Sequence, residues 1–126
     1  MNFECPACGA GSLAITCSIE LPAELSSGSD ELTLQTVACG ICSFRGIAIY
    51  EESRRGSSEN VHHHCFAAAI SEVDALSALV ARCPARSRPR CSCEAHQLVG
   101  SQYAQGRWHP ASQTVEGETF PMLIAV

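Results

Sequence analysis

The chain has 126 residues, nine of them cysteine, and sets eight cationic residues, all arginine, against thirteen acidic ones for a formal net charge of −5. A length of this order fits one ordinary domain, or two subdomains too small to be held by apolar burial alone. An acidic body is also a poor general ligand for nucleic acid.

Cysteine at this density points to cross-linking by sulfur or by metal. An odd count cannot pair completely within one chain, and the opening "MNFECPACGA" has no basic stretch followed by an apolar one of the kind that directs secretion. No later run approaches the roughly 18 apolar residues of a membrane span. The sequence therefore reads as soluble and cytoplasmic, with no membrane association. In a reducing compartment its thiols are expected on metal rather than in disulfides.

In chain order, "CPACG" supplies Cys5 and Cys8, and "CGIC" supplies Cys39 and Cys42, with thirty residues between the pairs. A Cys-x-x-Cys turn aims two sulfurs at one point about 2.3 Å from a metal, and a second such turn completes a tetrahedron. Between them "LAITCSIEL" alternates, with Leu13, Ile15, Cys17, Ile19 and Leu21 expected on one buried face. "PAELSSGSDE" reads as a connection, "LTLQTVA" as a strand running back, and "FRGIAIYEE" as a third strand with Ile47 and Ile49 on one face and Ala48 and Tyr50 on the other. Cys17 is read as a core residue, since a free cysteine on an apolar face behaves as a small hydrophobe. Thiol redox chemistry would need one of the turns to open a helix, and neither precedes a helical pattern.

With Cys5, Cys8, Cys39 and Cys42 clamping one end of three short strands, residues 1–55 resemble the zinc-ribbon, or rubredoxin-like, class. The resemblance implies a three-stranded antiparallel sheet and a structural metal. It implies no particular function, because ribbons serve many. "CPACG" also resembles the iron-holding turn of rubredoxins, so iron stays open here beside zinc, although "CGICSF" lacks the matching Pro-x-Cys-Gly form.

The polar stretch 52–60 is taken as a boundary, which leaves 60–126 as a second subdomain. "VHHHCFA" reads as a short strand with His62 and His64 on one face and Val61, His63 and Cys65 on the other. The helix that follows is expected over 71–82, capped by Ser71, with Val73, Leu76, Leu79, Val80 and Cys83 on one face and Pro84 ending it. In "CPARSRPRCSCEAH" the spacing Cys-x-Cys-x-x-His places Cys91, Cys93 and His96 within one turn. Cys83 arrives from the helix end and completes a Cys3His set. Cys65 or His64 in place of one ligand is an alternative. The apolar run 120–126 is expected as a strand added to a sheet or docked on a partner, and His109 beside Trp108 is read as packing.

The fold expected is thus a small, metal-stabilised α+β protein: a zinc ribbon, then one helix and a second metal-braced loop with short strands. The function expected is a non-catalytic protein with two structural zinc ions, engaging a protein partner or a second copy through its C-terminal strand. Two other readings stay open. One is a nucleic-acid-associated ribbon acting through Arg82, Arg86, Arg88 and Arg90. The other is a small metalloenzyme built on His62, His64 and His109.

Overall fold

The computed structural model describes residues 2–26, 29–53, 60–104, 106–108 and 118–125. Within them the chain forms β1 (Leu13–Leu21), a 3₁₀ turn at Ala23–Leu25, β2 (Glu31–Cys39), β3 (Arg45–Ser53), β4 (Asn60–Ala67), α1 (Ile70–Arg82), α2 (Glu94–Gln102), β5 (Tyr103–Ala104), β6 (Arg107–Trp108) and β7 (Thr119–Pro121). The architecture is α+β, with an antiparallel sheet and two helices where one was expected.

The three strands of the N-terminal half pair in sequence, β1 with β2 and β2 with β3. The sheet continues past them. β4 pairs antiparallel along β3 and β7 lies outside β4, so the strand order is β1-β2-β3-β4-β7. Pairing runs from Gly46 opposite Ala67 to Ser53 opposite Asn60, across the polar stretch 52–60, of which 54–59 lie outside the described residues. Gly46 allows this approach, since a Cβ there would stand 2.6 Å from the Phe66 carbonyl oxygen.

β1 departs from simple alternation. Ile15 pairs with Val37 and Cys17 with Thr36, so Thr16 is an extra residue, a β-bulge. Its hydroxyl lies 2.6 Å from that of Thr36. The bulge divides the apolar face expected for this strand: Leu13 and Ile15 turn toward the side of Val37 and Cys39, where Leu13 is buried but Ile15 is exposed, while Cys17, Ile19 and Leu21 turn toward the side of Leu32 and Leu34.

Each face of the sheet has its own core. On one, Val73, Leu76 and Val80 of α1 pack with Ile19, Leu21, Leu34, Ile47, Ile49 and Phe66, joined by Val99, Tyr103 and Trp108. α1 starts at Ile70, with Ala69 at the N-cap and no side-chain cap. Ser71 lies inside the first turn because the Ala68 amide, bonded to the Arg45 carbonyl, ends the strand early enough for Ala69 to begin the helix. At the other end Cys83 is extended, as the following Pro84 requires. α2 shows little of itself in sequence: its buried residues are Ala95, His96 and Val99, and the rest of "EAHQLVGSQ" is polar, small or exposed.

On the opposite face Phe3, Leu13, Val37, Ala48, Cys65 and Met122 form the second core, next to Cys5 and Cys39. Phe3 bridges Leu13 on one side and Ile124 on the other. The Glu4 amide donates to Leu123 and the Ala125 amide to Asn2. Pairing therefore passes from β4 to β7, along the same chain to residues 2–4, and back to β1, closing the sheet into a ring at this end. The C-terminal run does add a strand, over 119–121, and the ring is its continuation.

Candidate metal centres

The first centre sits at the closed end. In "CPACG" the backbone must reverse tightly, and Gly9 does so in the left-handed region at φ 78°, donating its amide to the Cys5 carbonyl at 2.9 Å. The second turn follows β2. The amides of Ile41 and Cys42 both point at the Cys39 sulfur at 3.4 Å, and the Phe44 amide points at the Cys42 sulfur at 3.4 Å. Cys5 Sγ lies 3.6 Å from Cys42 Sγ, and Cys8 Sγ lies 3.8 Å from Cys39 Sγ. A tetrahedron with metal–sulfur bonds of about 2.3 Å has sulfur–sulfur edges of about 3.8 Å, whereas a disulfide is about 2.05 Å. All four sulfurs lie within 4.8 Å of one another, so Cys5, Cys8, Cys39 and Cys42 could hold one ion.

Electrostatics at this centre favour a cation. The Cys42 amide, the Ser12 hydroxyl and the Ile41 amide draw the Cys39 thiol down to about 6. The Phe44 amide acts in the same sense on Cys42, but burial and the neighbouring thiols of Cys5, Cys39 and Cys8 push it up to about 12. One thiolate thus makes the next costly, and a divalent ion removes that conflict. Ser12, 3.0 Å from Cys39 Sγ, is a contributor that no spacing rule in the sequence marks.

The second centre lies where α1 and α2 meet. Cys83 stands at the C-cap of α1, Cys91 ends the arginine loop, and His96 occupies the first turn of α2. Cys83 Sγ is 3.7 Å from Cys91 Sγ and 3.3 Å from His96 Nδ1. These three could hold an ion. Cys93 is the N-cap of α2, and its sulfur accepts the His96 amide at 3.3 Å. Burial raises the Cys83 thiol to about 11, against the pull of the Ala85 amide and with the neighbouring Cys93 and Cys91 thiols adding to it. The Cys93 amide lowers that of Cys91. His96 is 3 % exposed, and its Nε2 has no hydrogen-bond partner among the described residues. A buried imidazole facing thiols with Nδ1 fits a metal ligand better than a proton carrier.

The remaining thiols and histidines lie elsewhere. Cys17 is half-buried against α1, 3.0 Å from the Thr36 hydroxyl. Cys65 pairs with Ala48 on the face opposite α1 and packs beside Cys5, away from the second centre. His63, on that same face, lies 2.8 Å from the Gln35 side-chain oxygen and meets the Phe3 and Tyr50 rings edge-on. His62 and His64 face the α1 side, opposite Glu51 and Ile49. His109 lies outside the described residues. No described helix is long and apolar enough to cross a membrane.

No family model matches the chain, and no curated protein or solved structure is significantly similar to it. The geometry around Cys5, Cys8, Cys39 and Cys42 is consistent with a zinc-ribbon-like site.

Proposed function

We propose that this chain is a non-catalytic, two-zinc scaffold in which Cys5, Cys8, Cys39 and Cys42 hold one ion and Cys83, Cys91, Cys93 and His96 the other. The observation that carries the reading is the set of sulfur separations, 3.6 and 3.8 Å at one centre and 3.7 Å at the other, which fit tetrahedral edges. Cys93 is included because the amide three residues on points at its sulfur, the relation that Cys42 has to Cys39. Zinc suits closed sets of thiolate and imidazole. When bound, it would offset part of the thiolates' negative charge and tie together segments far apart in sequence.

The scaffold's partner is a protein or a second copy of this chain. Backbone groups of the C-terminal segment are used within the chain, and the surface offered is made of side chains. Leu123 and Ile124 are 50 and 57 % exposed, and Ile41, in the second cysteine turn at the same end, is 73 % exposed. Apolar side chains clustered at one end suit a protein interface. Native mass spectrometry of protein prepared without chelator should show two divalent ions per chain, with zinc identified by elemental analysis. One ion or none overturns the two-centre reading, and iron at the first centre overturns the assignment of the metal.

A further inference from the structure

A cavity of about 660 Å³ opens on the α1 side of the sheet. Its walls include Glu51 from β3, His64 from β4, Tyr103 from β5, and Gly106 and Arg107 from the adjoining turn and β6. The register places more at this spot than the cavity lining alone. Glu51 stands directly opposite His62, and His64 follows two residues later on the same face of β4. Side chains directly opposite on adjacent strands have Cβ atoms about 5 Å apart, and diagonal neighbours stand about 7–8 Å apart. One carboxylate and two imidazoles thus rise from a rigid sheet over one small area.

We propose that Glu51, His62 and His64 form a third, exchangeable divalent-metal site at the floor of this cavity. Two imidazoles and one carboxylate suit first-row transition ions and leave coordination positions open. The supporting contacts fit that role. The Tyr103 hydroxyl donates to Glu51 Oε1 at 3.2 Å, which fixes the carboxylate and leaves its other oxygen for a metal. Gly106, at φ 76°, passes close to His64: even a Cβ there would lie 4.0 Å from Nε2, so the ring faces the cavity wall without obstruction. Arg107 lies over the Phe66 ring at 5.0 Å from its centre. In this conformation the donors are not gathered, since among the described residues the groups of three within 4.8 Å are those of the two thiolate centres. Binding requires the exposed His62 side chain to rotate inward, and this makes the third ion weak and exchangeable where the other two are held.

The test is cobalt(II) titration of protein already carrying its two zinc ions, followed by calorimetry and visible absorption. A third equivalent should bind with the weak d–d absorption of nitrogen and oxygen ligands and without thiolate charge-transfer bands. Glu51→Gln and His64→Ala should each remove it while mass spectrometry still counts two zinc ions. Tyr103→Phe should weaken it about tenfold, and His63→Ala, on the other face, should leave it intact. The proposal fails if no third equivalent binds, if Glu51→Gln binds cobalt as the parent does, or if His63→Ala abolishes binding. Loss of zinc itself would count against the two-centre reading and not against this one.

Discussion

His63 shows how one side chain can couple this fold to pH. Burial, with the nearby His64 charge adding to it, holds its imidazole below the ordinary histidine range. The unfolded chain then binds more protons than the folded one between the folded pKa and the unfolded value of about 6.5. His63 therefore contributes its full stability above about 6.5, and loses it as pH falls through that window. Thermal melts of the parent and of His63→Gln, compared between neutral and mildly acid pH, should show a smaller acid-induced drop for the variant; equal drops would remove His63 as the cause. Cysteine variants separate ligands from core residues at the same scale. Cys93→Ser should release one ion and leave that of Cys5, Cys8, Cys39 and Cys42 bound, because the centres draw on different segments. Cys17→Ala should release none, since its thiol contacts the Thr36 hydroxyl. Metal counting on the two variants decides both, and retention of two ions by Cys93→Ser would leave Cys93 as a helix cap alone.

Among the elements, what could be read in the sequence follows from how local the determining interaction is. A Cys-x-x-Cys turn sets its own geometry, so Cys5 with Cys8 and Cys39 with Cys42 are legible from spacing, and the face of α1 is legible from its period. The bulge at Thr16 is not. Odd positions from Leu13 to Leu21 are apolar or cysteine on both sides of it, so the pattern reads as one face although the register moves between Ile15 and Cys17. α2 carries no periodic signal in sequence, because its buried side includes His96 and only two apolar side chains. The ring closure depends on residues 2–4 meeting residues 123–125, a long-range contact that no window of sequence contains. It makes Phe3 a keystone between β1 and the C-terminal segment. Phe3 is 6 % exposed, and Phe3→Ala should cost about 3–5 kcal/mol. Denaturant unfolding should show that loss, and hydrogen exchange should show 119–125 losing protection before α1 does. Unchanged protection there would mean that β7 is held by β4 alone.

For the molecule as a whole, charge decides between a protein scaffold and a nucleic-acid binder. Two zinc ions on seven thiolates and one imidazole would take the formal charge from −5 to about −8, so metal makes the body more acidic. The arginine loop is a local exception, and the fold partly spends it. Arg90 is ion-paired to Glu24. The Arg86 carbonyl accepts the Glu20 amide of β1, and the Cys91 amide donates to the Arg88 carbonyl, which turns the loop onto the second centre. Arg82, Arg86 and Arg88 remain exposed. Three cations can neutralise about three phosphates, and each gives a slope of about −0.9 in log affinity against log salt. Against the field of an acidic body, this should leave binding no tighter than about 10⁻⁴ M at physiological salt, the weak end of non-specific affinity. Fluorescence anisotropy with labelled single- and double-stranded oligonucleotides, across a salt series, measures both quantities. Submicromolar binding that weakens when Arg86 and Arg88 are replaced by Ala would make the loop a nucleic-acid site. Weak binding with a slope unaffected by those substitutions would leave the loop's charge to offset the thiolates of Cys83, Cys91 and Cys93, which lie at its two ends.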